Sequence, residues 1–311
     1  MATVEKINDT NEQSPLQGPP ESSQELTWSL IFWRRFRKNK LALVGLGMML
    51  TLFAVAILAP VIAPQSRDEL ILATRLKKPG TINPETGQTY YLGTDQYGRD
   101  ITSRLIHASR ISLTIGFIST AVALTMGLLV GSLAGYYGGW IDNVLMRLVD
   151  VLLSIPTLPL LLTVLAFVGN SIWLIMFILG ITSWMSVARL VRGEILSIKQ
   201  RDFVEAARAM GAPDLRIMFK HIAPNLFHVL IVNATLRVAG AMLTEATLSY
   251  LGIGVQPPIP SWGNMLYEHQ NYLRVAPWTS IWPGMAIFIS MLAFYFVGDG
   301  LRDALDPRLK D

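Results

Sequence analysis

Four stretches of this chain carry no charged side chain: Leu41 to Ala63, Ile111 to Ile141, Val151 to Ala188 and Val275 to Gly298. A helix that crosses the hydrocarbon core of a bilayer needs about 20 predominantly apolar residues. The third run is too long for one crossing, since a helix over its length would extend about 57 Å. Gly169-Asn170-Ser171 lies near its middle and supplies the turn chemistry that divides it. A further crossing fits between Ile222 and Leu251, although it carries Arg237 and Glu245. The expectation is therefore an all-α integral membrane protein with six transmembrane helices near 41–63, 110–135, 144–168, 172–190, 225–250 and 279–298. Composition agrees, because only 15% of residues are charged, where soluble domains carry about a quarter.

Several chemistries are excluded. With no cysteine there is no disulfide framework, thiolate metal site or cysteine nucleophile. The histidines at 107, 221, 228 and 269 are scattered, and none sits in an H-E-x-x-H pattern, so no metal site is expected. There is no G-x-x-x-x-G-K-[ST] loop, so a nucleotide that drives this protein must bind another chain. The net charge of +4 fits basic flanks that hold loops on the cytoplasmic side and does not call for nucleic acid.

Residues 1–27 are polar, rich in Glu, Gln, Ser and Pro, and read as a disordered tail. No signal peptide is expected, because the first apolar run starts only at Leu41 and is too long. Residues 28–40 mix Trp28, Phe32, Trp33 and Phe36 with Arg34, Arg35, Arg37, Lys38 and Lys40, the pattern of a basic helix lying on the anionic cytoplasmic leaflet. A plain stop-translocation flank is the alternative, and both place the segment inside. The remaining Lys/Arg bias puts both termini in the cytoplasm, with an outer loop at 64–109 and a cytoplasmic loop at 193–224. In the second span Gly116, Gly127, Gly131 and Gly135 fall partly at four-residue spacing, which lets helix backbones approach closely in lipid.

The cytoplasmic loop is the most informative segment. Phe203, Ala206, Ala207 and Met210 share one face of a short helix, which Gly211 and Pro213 stop. Asp214 is placed to cap a second helix bearing Leu215, Met218, Phe219 and Ile222. Such a unit can lie on the bilayer, or dock a small apolar face into a groove on a soluble partner. A DNA-reading unit is excluded by its tethering at both ends close to lipid.

The sequence Glu205-Ala206-Ala207, then Gly211, then Ile222-Ala223-Pro224, resembles the EAA loop of permeases in binding-protein-dependent, ATP-driven importers. Four further segments resemble the C-type permease subunit of dipeptide, oligopeptide and nickel importers: Leu92-Gly93-Thr94-Asp95-Gln96-Tyr97-Gly98-Arg99-Asp100, Glu245 to Gly252, Gln256 to Gly263, and Gly298 to Pro307. The resemblance runs from about residue 28 to the C-terminus and implies a type I ABC importer permease fold in a bacterial inner membrane. It implies that Glu205, Ala206, Ala207, Met210, Gly211 and Pro224 contact an ATPase. It further implies a second homologous permease, two ABC ATPases that hold ATP and Mg, and an extracytoplasmic substrate-binding protein. This chain itself is expected to bind no cofactor and to catalyse nothing. Peptide is the expected substrate, with nickel and glutathione as alternatives.

In the outer motif Gly93 and Gly98 permit tight turns, and Thr94, Asp95 or Asp100 can cap the following helix, while Arg99 adds charge. Capping and contact with the binding protein both remain open for this motif. Ionisable groups inside spans are functional candidates. Asp150 is expected to pair with Arg147, and Arg237 and Glu245 to share a side of the fifth span, lining the path or meeting the partner permease. An ion-driven secondary transporter is the competing class, hinted at by Pro156 and Pro159 alone.

Overall fold

The computed structural model describes residues 28–83, 86–169 and 171–305; the expected N-terminal tail and the last residues lie outside that range. Almost every element is a helix, as a chain dissolved in lipid requires, because only a helix satisfies its own backbone polar groups there.

The first helix, α1 (Trp28–Lys38), ends at Asn39, whose side chain accepts from the Ala42 amide and caps α2 (Lys40–Ile62). Phe36 is buried against Ala42 and Ala304, so α1 is anchored to the bundle while Trp33, Arg34, Arg37 and Lys38 stay exposed. A small hairpin, β1 (Thr81–Ile82) and β2 (Thr89–Tyr90), lies in the segment that leads to α3 (Ile101–Tyr137). Next come α4 (Gly139–Leu153), α5 (Thr157–Val168), α6 (Ile172–Ile181) and α7 (Trp184–Ile198). After α8 (Asp202–Ala209), the helix α9 (Asp214–Arg216) runs through a π-helical turn at Ile217–Ile222 into α10 (Ala223–Tyr250). The chain closes with α11 (Trp262–His269) and α12 (Trp278–Leu305).

Among the described residues, five helical stretches are long and apolar enough to cross a membrane. The sixth expected crossing is not one straight helix: α4 and α5 meet at 82°. Pro156 accounts for the break, since proline forces the preceding residue out of the helical region and donates no hydrogen bond. The expected crossing at 144–168 thus falls on a bent pair of helices, which together can make one crossing. The start expected at 110 also moves, to Ile101, because Asp100 caps α3 through the Thr102 and Ser103 amides. The charged turn from Arg104 to Arg110 is helix, which the charge-free run could not reveal. Likewise the crossing after Ser171 continues to Ile198 with an irregular step at Thr182-Ser183.

Helix α3 is the central post, touching α2, α4, α6, α7 and α10. Its glycines are the reason. A methyl group on Gly131 would stand 2.5 Å from the Ala188 carbonyl oxygen, and one on Gly135 3.0 Å from the Ile195 Cβ. Gly127 meets Val187 in the same way, and Gly116 faces Met242 of α10 at 2.8 Å. On α6, Gly180 takes Val122 of α3 at 2.5 Å. Lipid tails are as apolar as leucine, so association in a bilayer rests on such close packing.

Two ends of the bundle follow from the length of α3. At its start lie the hairpin segment and α11. At its finish lie α8 and the start of α10, with α1 and the last turn of α12 bordering a shared cavity beside Arg201 and Pro224. Gly131→Val is expected to lower the thermal midpoint of the detergent-solubilised protein, by overpacking worth about 1–3 kcal/mol. Gly47→Ala, with nothing near the added methyl group, should leave it unchanged in the same melt.

Candidate functional site

Three sets of residues carry the chemistry, one at each end and one between. At the α8 end, the helix has a buried and an exposed side. Val204 and Ala207 are buried with Val191, Ile195, Ile198, Ile217, Ile222 and Leu226. Glu205, Ala206 and Gly211 are exposed, as are Phe203 at 39% and Met210 at 82%. The single face expected from Phe203, Ala206, Ala207 and Met210 is thus divided: Ala207 turns inward and the other three turn out. Burying Val204 alone is worth about 1.5–3 kcal/mol, enough to fix which side of so short a helix faces solvent.

The stop at Gly211 has a physical basis. Its φ of +77° suits glycine. The Ala212 amide donates to the Ala207 carbonyl at 3.1 Å and the Gly211 amide to the Arg208 carbonyl at 2.9 Å, a Schellman closure. Asp214 is not the cap that its position suggests. Pro213 precedes the helix as its cap residue, and the Asp214 carboxylate instead accepts from the Tyr136 hydroxyl at 2.6 Å, tying the loop to the end of α3. Pro224 lacks the amide that an α-helix would use, and the π-helical turn just before it absorbs that loss. Lys199 donates to the Gly135 carbonyl at 2.9 Å, and Arg192 binds both oxygens of Asp142 at 2.5 and 2.6 Å. The expected Arg147–Asp150 pair does not form; Asp150 accepts from Arg189 of α7 at 2.6 Å, because α4 packs beside α7.

At the other end, the motif from Leu92 to Asp100 closes a polar core. Asp95 accepts from the Tyr97 and Arg99 amides at 2.8 and 2.9 Å and from Arg99 Nε at 2.5 Å. Glu268 of α11 takes Arg99 at 3.0 Å and Arg104 at 2.8 Å. Thr94 bonds the Thr74 carbonyl and the Lys77 amide. Gly98 packs on the Ile71 carbonyl so closely that no side chain fits, and Gly93 adopts a φ of +85°. Burial works against the charge on Arg99, but Asp95 and Glu268 outweigh it and hold its pKa above the ordinary arginine value. His269, fully buried beside Asp95, Glu268, Arg104 and Arg99, has its pKa pushed down by burial, the two carboxylates notwithstanding.

Glu245 belongs to this end as well. It is 1% exposed and accepts from Ser249 at 2.6 Å and Ser261 at 2.9 Å, joining α10 to the start of α11. Gly263 stacks on Ala246, and Asn264 donates to the Val255 and Ile259 carbonyls. The segments Glu245 to Gly252 and Gln256 to Gly263 are therefore one fastening. Arg237 lies elsewhere, on a cavity of about 310 Å³ between α3, α6, α7 and α10. Arg237 and Glu245 do not meet on one surface: eight residues set them just over two turns apart on α10 with their directions offset by about 80°, and Glu245 is buried against Ser249 and Ser261 while Arg237 lines the cavity. Glu268, His269 and Arg104 were missed by sequence reasoning, since a pairing such as Arg99 with Glu268 spans a sequence separation of 169.

A helical bundle of membrane length with a polar cavity inside, a locked cap at one end and a pinned surface helix at the other defines a polytopic transport subunit. Residues 127–311 match the model of the binding-protein-dependent transport system inner membrane component family. Residues 27–79 match the N-terminal transmembrane domain of oligopeptide transport permease C. The chain belongs to this family of inner-membrane permeases. It is similar to a dipeptide transport system permease of Alkalihalophilus pseudofirmus, 38% identical over 95% of each chain. It is also similar to a glutathione transport system permease of Pectobacterium atrosepticum, 41% identical over 90% of this chain and 91% of the other. In structure it resembles a chain of the inward-facing MetNI methionine ABC transporter, with a TM-score of 0.53 and 21% identity over 65% of this chain and 97% of that one. That likeness fixes the permease fold, and family membership sets aside the ion-driven secondary transporter.

The depressed pKa of His269 has a defined pH signature. Below the ordinary histidine value of 6.5, the unfolded chain binds a proton that the folded one resists, so stability falls as pH falls. Protection factors at residues 92–100 and 262–272, taken against the intrinsic exchange rate at each pH, should fall between pH 7.5 and about 5.5. His269→Asn should flatten that dependence.

Proposed function

We propose that this chain is the permease subunit through which an ATP-driven importer moves di- or oligopeptides across the inner membrane. The observation that carries the reading is the EAA-type helix α8, held to the bundle by Val204 and Ala207 while it presents Glu205, Ala206, Met210 and Gly211 to solvent. An exposed methionine at 82% beside an exposed phenylalanine needs a partner surface to cover it. In this reading α8 enters a groove on a cytoplasmic ATPase subunit, so the start of α1 and the end of α12, which share that end of the bundle, are cytoplasmic.

A second homologous permease completes the pathway, and two ATPase chains hold ATP and Mg. An extracytoplasmic binding protein delivers substrate to the end capped by residues 92–100 and α11. The spans, outer loop and coupling loop take their assignments from this orientation. Nucleotide-driven closure of the ATPases draws the two α8 helices together and rocks the permeases between inward- and outward-open states. Peptide is preferred over nickel because relatives carry peptide-transport names. Glutathione, itself a peptide, stays within the reading.

The test is uptake of a labelled dipeptide, with labelled nickel in parallel, in cells lacking the gene and complemented with wild type or variants. Wild type should restore peptide uptake, and Glu205→Ala or Met210→Asp should lower it at least about tenfold, the cost of losing a contact hot spot. Nickel uptake in place of peptide uptake would overturn the substrate. Full peptide uptake by both variants would overturn the docking role of α8.

A further inference from the structure

Arg237 stands in the middle of a membrane-length helix without a counter-charge. Its Nε donates to Asn233 Oδ1 at 2.7 Å, one Nη to the Ser183 carbonyl at 3.1 Å and the other to Ser186 Oγ at 3.0 Å. All these acceptors are neutral, and no carboxylate among the described residues lies within ion-pair distance. A guanidinium has five N–H donors, so three bonds leave two unused. Buried or half-buried charges in membrane proteins pair with an opposite charge or line a functional cavity.

The cavity in front of Arg237 has the wall such a ligand needs. Ser119, Thr120, Ser183, Asn233 and Thr244 line it, with a volume of about 310 Å³. Ser119 already donates to the Met176 carbonyl. Thr120 does not donate to anything: it is 5% exposed, and its hydroxyl oxygen has no hydrogen-bond partner. A buried hydroxyl left unbonded has given up its hydration with nothing in return, and it belongs where something else supplies the bond. The step between α6 and α7 at Thr182-Ser183 opens the helix here and turns the Ser183 carbonyl toward Arg237.

We infer that this cavity is a carboxylate-binding station in the translocation path, with Arg237 as the cation and the Thr120 hydroxyl as an added donor. Its ligand class is a small molecule bearing a free carboxylate. This rests on the permease reading above, and for a peptide the carboxylate is its C-terminal one. The competing source of negative charge is a carboxylate of a neighbouring permease chain. The free volume and the unbonded Thr120 favour the ligand.

The chain has no native cysteine, so Ala241→Cys, one helical turn from Arg237, gives a single reporter on the cavity wall. In the assembled importer, its labelling by anionic 2-sulfonatoethyl and cationic 2-trimethylammonioethyl methanethiosulfonate is compared by mass on this chain. The anionic reagent should react faster, and Arg237→Gln should reduce the anion-to-cation ratio about tenfold, while Arg237→Lys keeps most of it. A ratio indifferent to Arg237→Gln means that a fixed carboxylate already neutralises the site, and overturns the inference with the permease reading intact. Uptake of a labelled dipeptide and of its C-terminal amide adds the second arm. Arg237→Gln should impair the free acid selectively and Arg237→Lys should recover it. Equal impairment of both peptides would overturn the inference in favour of a packing role. If wild type takes up neither peptide, the peptide reading fails, and the labelling ratio still decides whether the cavity attracts anions.

Discussion

Close approach of α3 to α7 is the contact on which the rest of the molecule depends. Gly127, Gly131 and Gly135 bring Val187, Val191 and Ile195 against the α3 backbone. No hydrophobic force between helices is available in a bilayer, so the gain comes from dispersion summed over many short contacts. Once α7 is seated, its ends are placed: the Ser183 step meets α10 at Arg237, and Lys199 reaches the last turn of α3. Arg192 then fixes α4 through Asp142. A single methyl group on the glycine face would displace each of these in turn.

The two ends of the bundle are built by opposite means. The cap at the start of α3 is ionic and dry: Arg104 is fully buried, with Glu268, Asp95 and Arg99 around it. Charges so placed are costly to remove from water and worth little as net stability, but removal of one partner is severe. That makes the cap specific in geometry. The α8 end is held by an apolar interior of Val204, Ala207 and Ile217, while its exposed side mixes Glu205 with Phe203 and Met210. It can therefore yield as a unit without stranding a buried charge.

Much of this was legible in the sequence. The charge-free runs gave the crossings because lipid length is a hard constraint. Gly211 marked the helix stop because few residues other than glycine tolerate its backbone angles. Asp100 was among the caps that sequence offered. What could not be read were relations across the chain. Glu205 and Val204 are neighbours in sequence, yet only the packing of α7 and the π-helical turn shows that Val204 and Ala207 face inward. Arg147 is closer to Asp150 in sequence than Arg189 is, and helix packing overrules that proximity. The kink at Pro156 was noted as a hint but not as a break, since proline is tolerated in spans that neighbours can repair.

These placements connect the α8 surface with the cavity by packed elements alone. Val204 and Ala207 share one buried cluster with Val191, Ile195 and Ile198 of α7 and Leu226 of α10, and α8 packs on the π-helical turn that leads into α10. The same two helices carry Arg237 and its partners: Ser183 at the start of α7 and Ser186 within it, and Asn233 and Arg237 on α10. A displacement of α8 that rotated α7 against α10 would lengthen the bonds from Arg237 to Ser183 and Ser186. The bond to Asn233, within α10, would be spared. A polar cavity whose cation is shared between two moving helices changes its donor geometry when they move. The cap, fastened to α3, α10 and α11 through Glu245 and Glu268, gives α10 a fixed C-terminal end about which that rotation would occur.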